Sequence, residues 1–153
     1  MATEHNTLAL SLASGGAVVI RLRPDLPPDH VRRIRELAEE GFYDGVSFHR
    51  VIDGFMAQGG DPTGTGAGGS PKSDLKAEFS REPHVRGTAS MARTADPDSA
   101  NSQFFICFDD CRFLDGQYTV WGQVIEGMEH VDALPKGEPP SAPGKIVKAS
   151  LRD

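Results

Sequence analysis

Near the start of the chain, Leu8, Leu10 and Leu12 alternate with Thr7, Ala9 and Ser11. After Ser14-Gly15-Gly16, Val18, Ile20 and Leu22 alternate with Val19, Arg21 and Arg23. A period of two sends successive side chains to opposite faces of an extended strand. Two such runs joined by a glycine pair therefore predict a β-hairpin with one buried face. Pro24 ends it, because proline has no N–H with which to continue a ladder. Further short apolar runs have the same strand character: Val46–Ile52, Phe55–Gln58, Thr88–Ala92, Gln103–Phe108, Thr119–Ile125 and Ile146–Leu151.

Helical periodicity occurs in two places. Asp29 is placed to cap a helix after Pro27-Pro28; Val31, Ile34, Leu37 and Ala38 recur at helical spacing, and Gly41 is a stop. Arg32, Arg33, Arg35, Glu36, Glu39 and Glu40 fill the opposite face, and their mixed signs mark it as a solvated surface, not a basic recognition helix. A shorter helix is expected over Glu126–Leu134, with Met128, Val131 and Leu134 on one side and Pro135 and Gly137 ending it. With 17 Gly and 11 Pro in 153 residues, a helical bundle is disfavoured. The pattern predicts a mainly β single domain over residues 1–153, a closed barrel or sandwich with helices at its ends. Two long polar loops, Gly59–Ser73 and Thr94–Ser102, are of the length that often carries function.

Charge and composition exclude several classes. Sixteen Lys and Arg stand against 22 Asp and Glu, a net charge of -6, which argues against a general nucleic-acid binder. No run approaches the roughly 20 apolar residues of a membrane span. Met1–His5 lacks a basic leader, and Cys107 and Cys111 make no disulfide framework, so reduced thiols in the cytoplasm are expected.

Several familiar motifs fail on inspection. The run Gly64-Thr65-Gly66-Ala67-Gly68-Gly69 is followed by Pro71 and by no helix, so it reads as a flexible surface loop and not a phosphate cradle. Cys107 lies within Phe104-Phe105-Ile106-Cys107-Phe108 and reads as a small buried hydrophobe. His5, His30, His49, His84 and His130 have no metal-ligand spacing, and no Ser-His-Asp or Cys-His arrangement can be read from neighbouring residues. No metal and no cofactor are expected.

Three segments combine hydrogen-bonding groups with large apolar ones: Phe48-His49-Arg50-Val51-Ile52 running on to Gly54-Phe55-Met56 and Gln58-Gly59-Gly60-Asp61; Ser90-Met91-Ala92-Arg93; and Asn101-Ser102-Gln103-Phe104-Phe105-Ile106. With Phe113-Leu114-Asp115-Gly116 they resemble the cyclophilin family of peptidyl-prolyl cis-trans isomerases, in the family's order and at about its spacing. The resemblance runs from the first hairpin to Leu151. It implies an eight-stranded antiparallel closed β-barrel capped by two α-helices, an isomerase of X–Pro bonds that assists protein folding, and partners that are proline-containing peptides and unfolded or flexible protein segments. A monomer is expected.

Residue by residue, the resemblance makes Arg50 the catalytic cation and Gln58 the group that bonds a substrate carbonyl. It puts Phe55, Met56, Phe105 and Leu114 around the proline ring. Ala92 and Gln103 line the groove, the backbone at Arg93 pairs with the peptide, and Gly66, Ala67 and Gly68 flank the subsite before the proline. His49 is read as structural. Phe113 stands where many eukaryotic members carry Trp, whose indole N–H contacts cyclosporin, so reduced affinity for that drug is expected. Tyr118 replaces a pocket histidine and keeps a flat wall with a polar tip. The reading from another class is a non-catalytic proline-peptide binding module or chaperone. A ligand-storage barrel is disfavoured, since small barrels fill their interior with side chains.

Overall fold

The computed structural model describes residues 6–152; the leader reading of Met1–His5 lies outside the described residues. The first hairpin pairs β1 (Thr7–Leu12) with β2 (Ala17–Leu22), Leu10 opposite Val18. After α1 (Pro28–Glu39) come β3 (Arg50–Ile52), β4 (Met56–Gly59), β5 (Thr88–Met91) and β6 (Phe104–Cys107). A 3₁₀ turn (Arg112–Leu114), β7 (Val120–Glu126), α2 (Met128–Asp132) and β8 (Ile146–Arg152) complete the order. The eight strands form one antiparallel sheet in the order β3-β4-β6-β5-β7-β2-β1-β8.

The sheet curls until its edges meet, and irregular bridges join them. Gly45 N–H donates to Ile146 O at 2.6 Å, Ile146 N–H to Val46 O at 2.9 Å and Phe48 N–H to Gly144 O at 2.8 Å. Farther along, Val51 and Gly137 exchange both N–H···O bonds at 2.8 Å. Residues 46–49, expected as strand, serve as this closing seam, and β3 proper is only Arg50–Ile52.

Alternation decides which side chains fill the interior. Ala57, Ala89 and Ile106 point inward with Leu8, Leu10, Ile20 and Trp121. At the centre, the rings of Tyr43, Phe48 and Trp121 each meet Phe104 edge-on, at 5.5, 6.2 and 5.7 Å. The intervening residues Met56, Phe105 and Cys107 point outward and form a second buried cluster with Cys111. Strands β4 to β6 are thus covered on both faces, which is why their sequences read as continuous apolar runs.

The helices depart from expectation in three ways. Pro27 occupies the N-cap of α1 and Pro28 its first turn, where a missing N–H costs nothing. Asp29 therefore enters the helix and is not its cap; the Glu78 carboxylate takes the N–H groups of Asp29 (3.3 Å) and His30 (2.9 Å) instead. Arg33, expected on the solvated face, is buried and donates to the carbonyls of Ser73 (2.7 Å) and Asn101 (3.3 Å), pinning the two long loops to the helix. The second helix is five residues, Met128–Asp132, shorter than the expected nine.

Candidate active site

The site is built from one row of residues across the sheet. Arg50 on β3 lies opposite Gln58 on β4, Gln58 opposite Phe105 on β6, and Phe105 opposite Ser90 on β5. Cross-strand neighbours share a face, so pairing register alone aligns Arg50, Gln58 and Phe105. Two residues along, Met56 opposes Cys107 on that same face. β4 ends just before Gly60 (φ +98°), where only glycine fits because a Cβ would run into the Ser102 carbonyl.

A cavity of about 100 Å³ opens above this row. Met56 and Phe105 form its buried floor, and Phe55, Leu114 and Tyr118 its apolar walls. Arg50, Gln58, Ala92 and Arg93 supply the remaining rim. Phe113 does not line the cavity: it is 65% exposed, and its ring sits 5.7 Å from Phe55. Tyr118 meets Phe105 edge-on at 5.6 Å, and the guanidinium of Arg93 lies over the Tyr118 ring at 4.7 Å. Arg93 also donates to the carbonyls of Gln117 (2.9 Å) and Thr94 (2.8 Å), which holds it flat against the wall.

A second hollow of about 570 Å³ shares Gln58, Ala92 and Arg93 and is walled by Gly66, Ala67, Gly68 and Gln103. Its glycine wall is not the loosely held loop that the sequence suggested. The buried Asp61 carboxylate gathers the N–H groups of Thr63, Thr65, Gly66 and Gly68 at 2.7–3.1 Å and the Thr63 hydroxyl at 2.7 Å. Burial alone would raise the Asp61 pKa, but these bonds together outweigh it and hold the carboxyl well below the usual carboxylate range. Gly68 admits no Cβ because it would meet that carboxylate.

An amide chain links this wall to Arg50. Gln103 Nε2 donates to the carbonyls of Gly66 and Gly68, both at 2.9 Å. Gln58 Nε2 donates to Gln103 Oε1 at 3.0 Å, and Arg50 Nη1 approaches Gln58 Oε1 at 3.5 Å. His49, beside Arg50 in sequence, is buried on the other side of the strand, near Gly66, where desolvation lowers its pKa.

Sequence reasoning missed a buried relay behind the cavity floor. His84 Nδ1 meets Asp115 Oδ1 at 2.9 Å, and its Nε2 meets the Ser90 hydroxyl at 2.9 Å. Ser90 lies six residues from His84, but Asp115 lies 31 away, so no local motif announced the set. Ser90 is fully buried, which denies it the exposure a nucleophile needs. Both cysteines are free and buried, and desolvation pushes both thiols up in pKa. No group of three or more His, Cys, Asp or Glu side chains able to hold a metal occurs among the described residues.

The structure is a curled β-barrel whose outer face carries a groove, with a small apolar cavity and a cation on its rim. Comparison with known proteins makes the class specific. Residues 7–151 match the family model for cyclophilin-type peptidyl-prolyl cis-trans isomerases. A probable peptidyl-prolyl cis-trans isomerase of Brucella suis is 51% identical over 166 residues, covering 98% of this chain and 84% of its own. Peptidyl-prolyl cis-trans isomerase B of Bacillus subtilis is 43% identical over 129 residues, covering 83% and 89%. A crystal structure of a cyclophilin from Hirschia baltica superposes with a TM-score of 0.88 at 32% identity, covering 96% of this chain and 74% of that one. A Cryptosporidium parvum cyclophilin, crystallised in the presence of the dipeptide Ala-Pro, gives 0.88 at 28% identity over 96% and 99%. The chain belongs to the cyclophilin family; its activity is peptidyl-prolyl cis-trans isomerisation and its substrates are proline-containing peptides.

Proposed function

We propose that Arg50 is the catalytic residue and that the 100 Å³ cavity receives the substrate's proline ring. Rotation about an X–Pro bond must break amide resonance, a barrier of about 18–20 kcal/mol that makes spontaneous exchange slow. The twisted transition state localises a lone pair on the prolyl nitrogen. A fixed cation donating a hydrogen bond there stabilises the twisted form more than either planar one. No covalent intermediate and no proton transfer are required. An acceleration on the order of 10⁵ corresponds to roughly 7 kcal/mol, of which one preorganised donor supplies about 3–4. The remainder comes from holding the bond twisted away from water.

The observation that carries this reading is the row Arg50–Gln58–Phe105: a charged fork, an amide and an aromatic floor in register around one cavity. A proline ring on Phe105 brings its nitrogen toward the rim where Arg50 stands, and Gln58 is available to orient a neighbouring carbonyl. The larger hollow, with Ala67 and Gln103 in its wall, suits the residues that precede the proline. The dipeptide used with the Cryptosporidium relative is of the same chemistry.

We further read the protein as a cytoplasmic monomer that acts on unfolded or flexible segments and so assists folding. Two free thiols, a net charge of -6 and the scattering of the exposed Phe79 in a loop, Phe113 in the 3₁₀ turn, Ile125 on β7 and Val147 on β8 support that reading. Phe113 offers no ring N–H to cyclosporin, which supports weak binding of that drug. Line-exchange NMR on a panel of X–Pro peptides, with wild type and Arg50→Ala, tests the assignment: wild type accelerates exchange, and equal acceleration by the variant removes Arg50 from its role.

A further inference from the structure

The outer edge of β3 is occupied at one point. Val51 and Gly137 exchange both backbone hydrogen bonds at 2.8 Å, a narrow antiparallel pair. In antiparallel pairing the residue before Val51 faces the residue after Gly137, in the non-hydrogen-bonded position where side chains approach most closely. Those residues are Arg50 and Glu138. Glu138 Oε1 accepts from Arg50 Nε at 3.0 Å. Arg50 is therefore flanked by two cross-strand neighbours, Gln58 on β4 and Glu138 on the closing loop, and of the two contacts the one to Glu138 is the shorter.

We propose that Glu138 is a positioning residue for the isomerase reaction: it fixes the guanidinium of Arg50 by its Nε edge, so that the Nη edge, with its long contact to Gln58, can turn to the substrate. This rests on the assignment of Arg50 made above. A half-exposed arginine samples many rotamers, and ordering it at the transition state costs free energy that a pre-formed bond removes in advance. The contact to Gln58 at 3.5 Å is too long to do this alone. The carboxylate also offsets some of the arginine's charge. Both groups are solvated, so that offset is screened, whereas the restriction in geometry is not. Orientation therefore outweighs attenuation. A glutamine at 138 keeps an acceptor oxygen at the same reach, and an alanine keeps none.

The test is steady-state isomerase kinetics of the full chain with Glu138→Ala, Glu138→Gln, Arg50→Ala and the Arg50→Ala/Glu138→Ala double variant, beside thermal melts and the ¹⁵N-¹H signal of Arg50 Nε. Glu138→Ala is expected to lower kcat about five- to tenfold with KM nearly unchanged and the melting temperature unmoved. Its Arg50 Nε signal should broaden or move upfield. Glu138→Gln should keep at least half the wild-type kcat, and in the Arg50→Ala background the loss of Glu138 should have no further effect. Wild-type kcat in Glu138→Ala while Arg50→Ala is impaired overturns the proposal. So does an equal loss from Glu138→Gln, or the same loss on top of Arg50→Ala. Full activity in Arg50→Ala instead overturns the catalytic assignment itself.

Discussion

The imidazole of His84 lies against the ring of Phe105, 17° from parallel with centroids 6.1 Å apart. Asp115 fixes that imidazole, accepting both its backbone N–H (2.7 Å) and its Nδ1 (2.9 Å). The proton therefore sits on Nδ1, and Nε2 accepts from the Ser90 hydroxyl. The serine is a support for the cavity floor. Ser90→Ala leaves a buried ring nitrogen unpaired and should cost about 1–3 kcal/mol in urea denaturation. The native protein should remain unlabelled by a fluorophosphonate probe.

Arg50 is half-exposed and off the core, so its removal should spare the fold. Arg50→Ala should lower kcat/KM by about 10²–10³, the loss found when one preorganised donor is deleted, with peptide affinity changed far less. Exchange broadening and chemical-shift titration in the same NMR samples separate the two quantities.

Acid should weaken the protein in two stages. Burial lowers the pKa values of His30, His49 and His84, so the folded state binds protons there less readily than the unfolded chain. Their contribution is complete above the ordinary histidine value of 6.5 and is lost as pH falls below it toward the folded values. Asp61, also depressed, adds a contribution lost as pH drops below 3.8, its ordinary value. Urea midpoints across this range should fall in both steps. Asp61→Asn should shrink the lower step, to which the Arg-paired Asp25, Asp110 and Asp132 also contribute, and cost about 2–3 kcal/mol at neutral pH, because an amide cannot hold all the donors of the glycine wall.

Trp121 is fully buried against Phe104, inside the barrel, whereas the groove lies on the outer face. Its fluorescence should therefore change little when X–Pro peptides or cyclosporin are titrated. Phe113→Trp places an indole against Phe55, outside the cavity wall, and should give both a fluorescence response and tighter drug inhibition. Nanomolar inhibition of the wild type would contradict this.

The strands were legible because alternation survives in β1 and β2 and because runs buried on both faces remain short and apolar. The cavity residues were legible only through the joint resemblance of their segments; singly, Phe105 and Met56 look like core. What stayed hidden depends on distant partners. Helical spacing puts Arg33 on a charged face, and nothing local reveals that Ser73 and Asn101 fold over it. Asp61 looks like a loop acid until the glycines wrap around it. His84, Ser90 and Asp115 meet only once β5 and the 3₁₀ turn are in place. Glu138 sits in a Pro- and Gly-rich stretch without periodicity, so its place beside Arg50 follows from closure of the sheet alone.

That closure also sets how the protein comes into being. The Thr7 hydroxyl donates to the Arg152 carbonyl at 2.8 Å, across 145 residues of sequence, and β1 pairs with β8 along its length. Contacts of such high sequence separation require long loops to close before they are rewarded, which slows folding. During synthesis the hairpin emerges early but waits for nearly the whole chain before its outer edge is filled. The row that carries Arg50 likewise stays open until residues 137–146 arrive. A nascent copy therefore lacks the Arg50 side of its groove, Glu138 included, until almost the whole chain has been made.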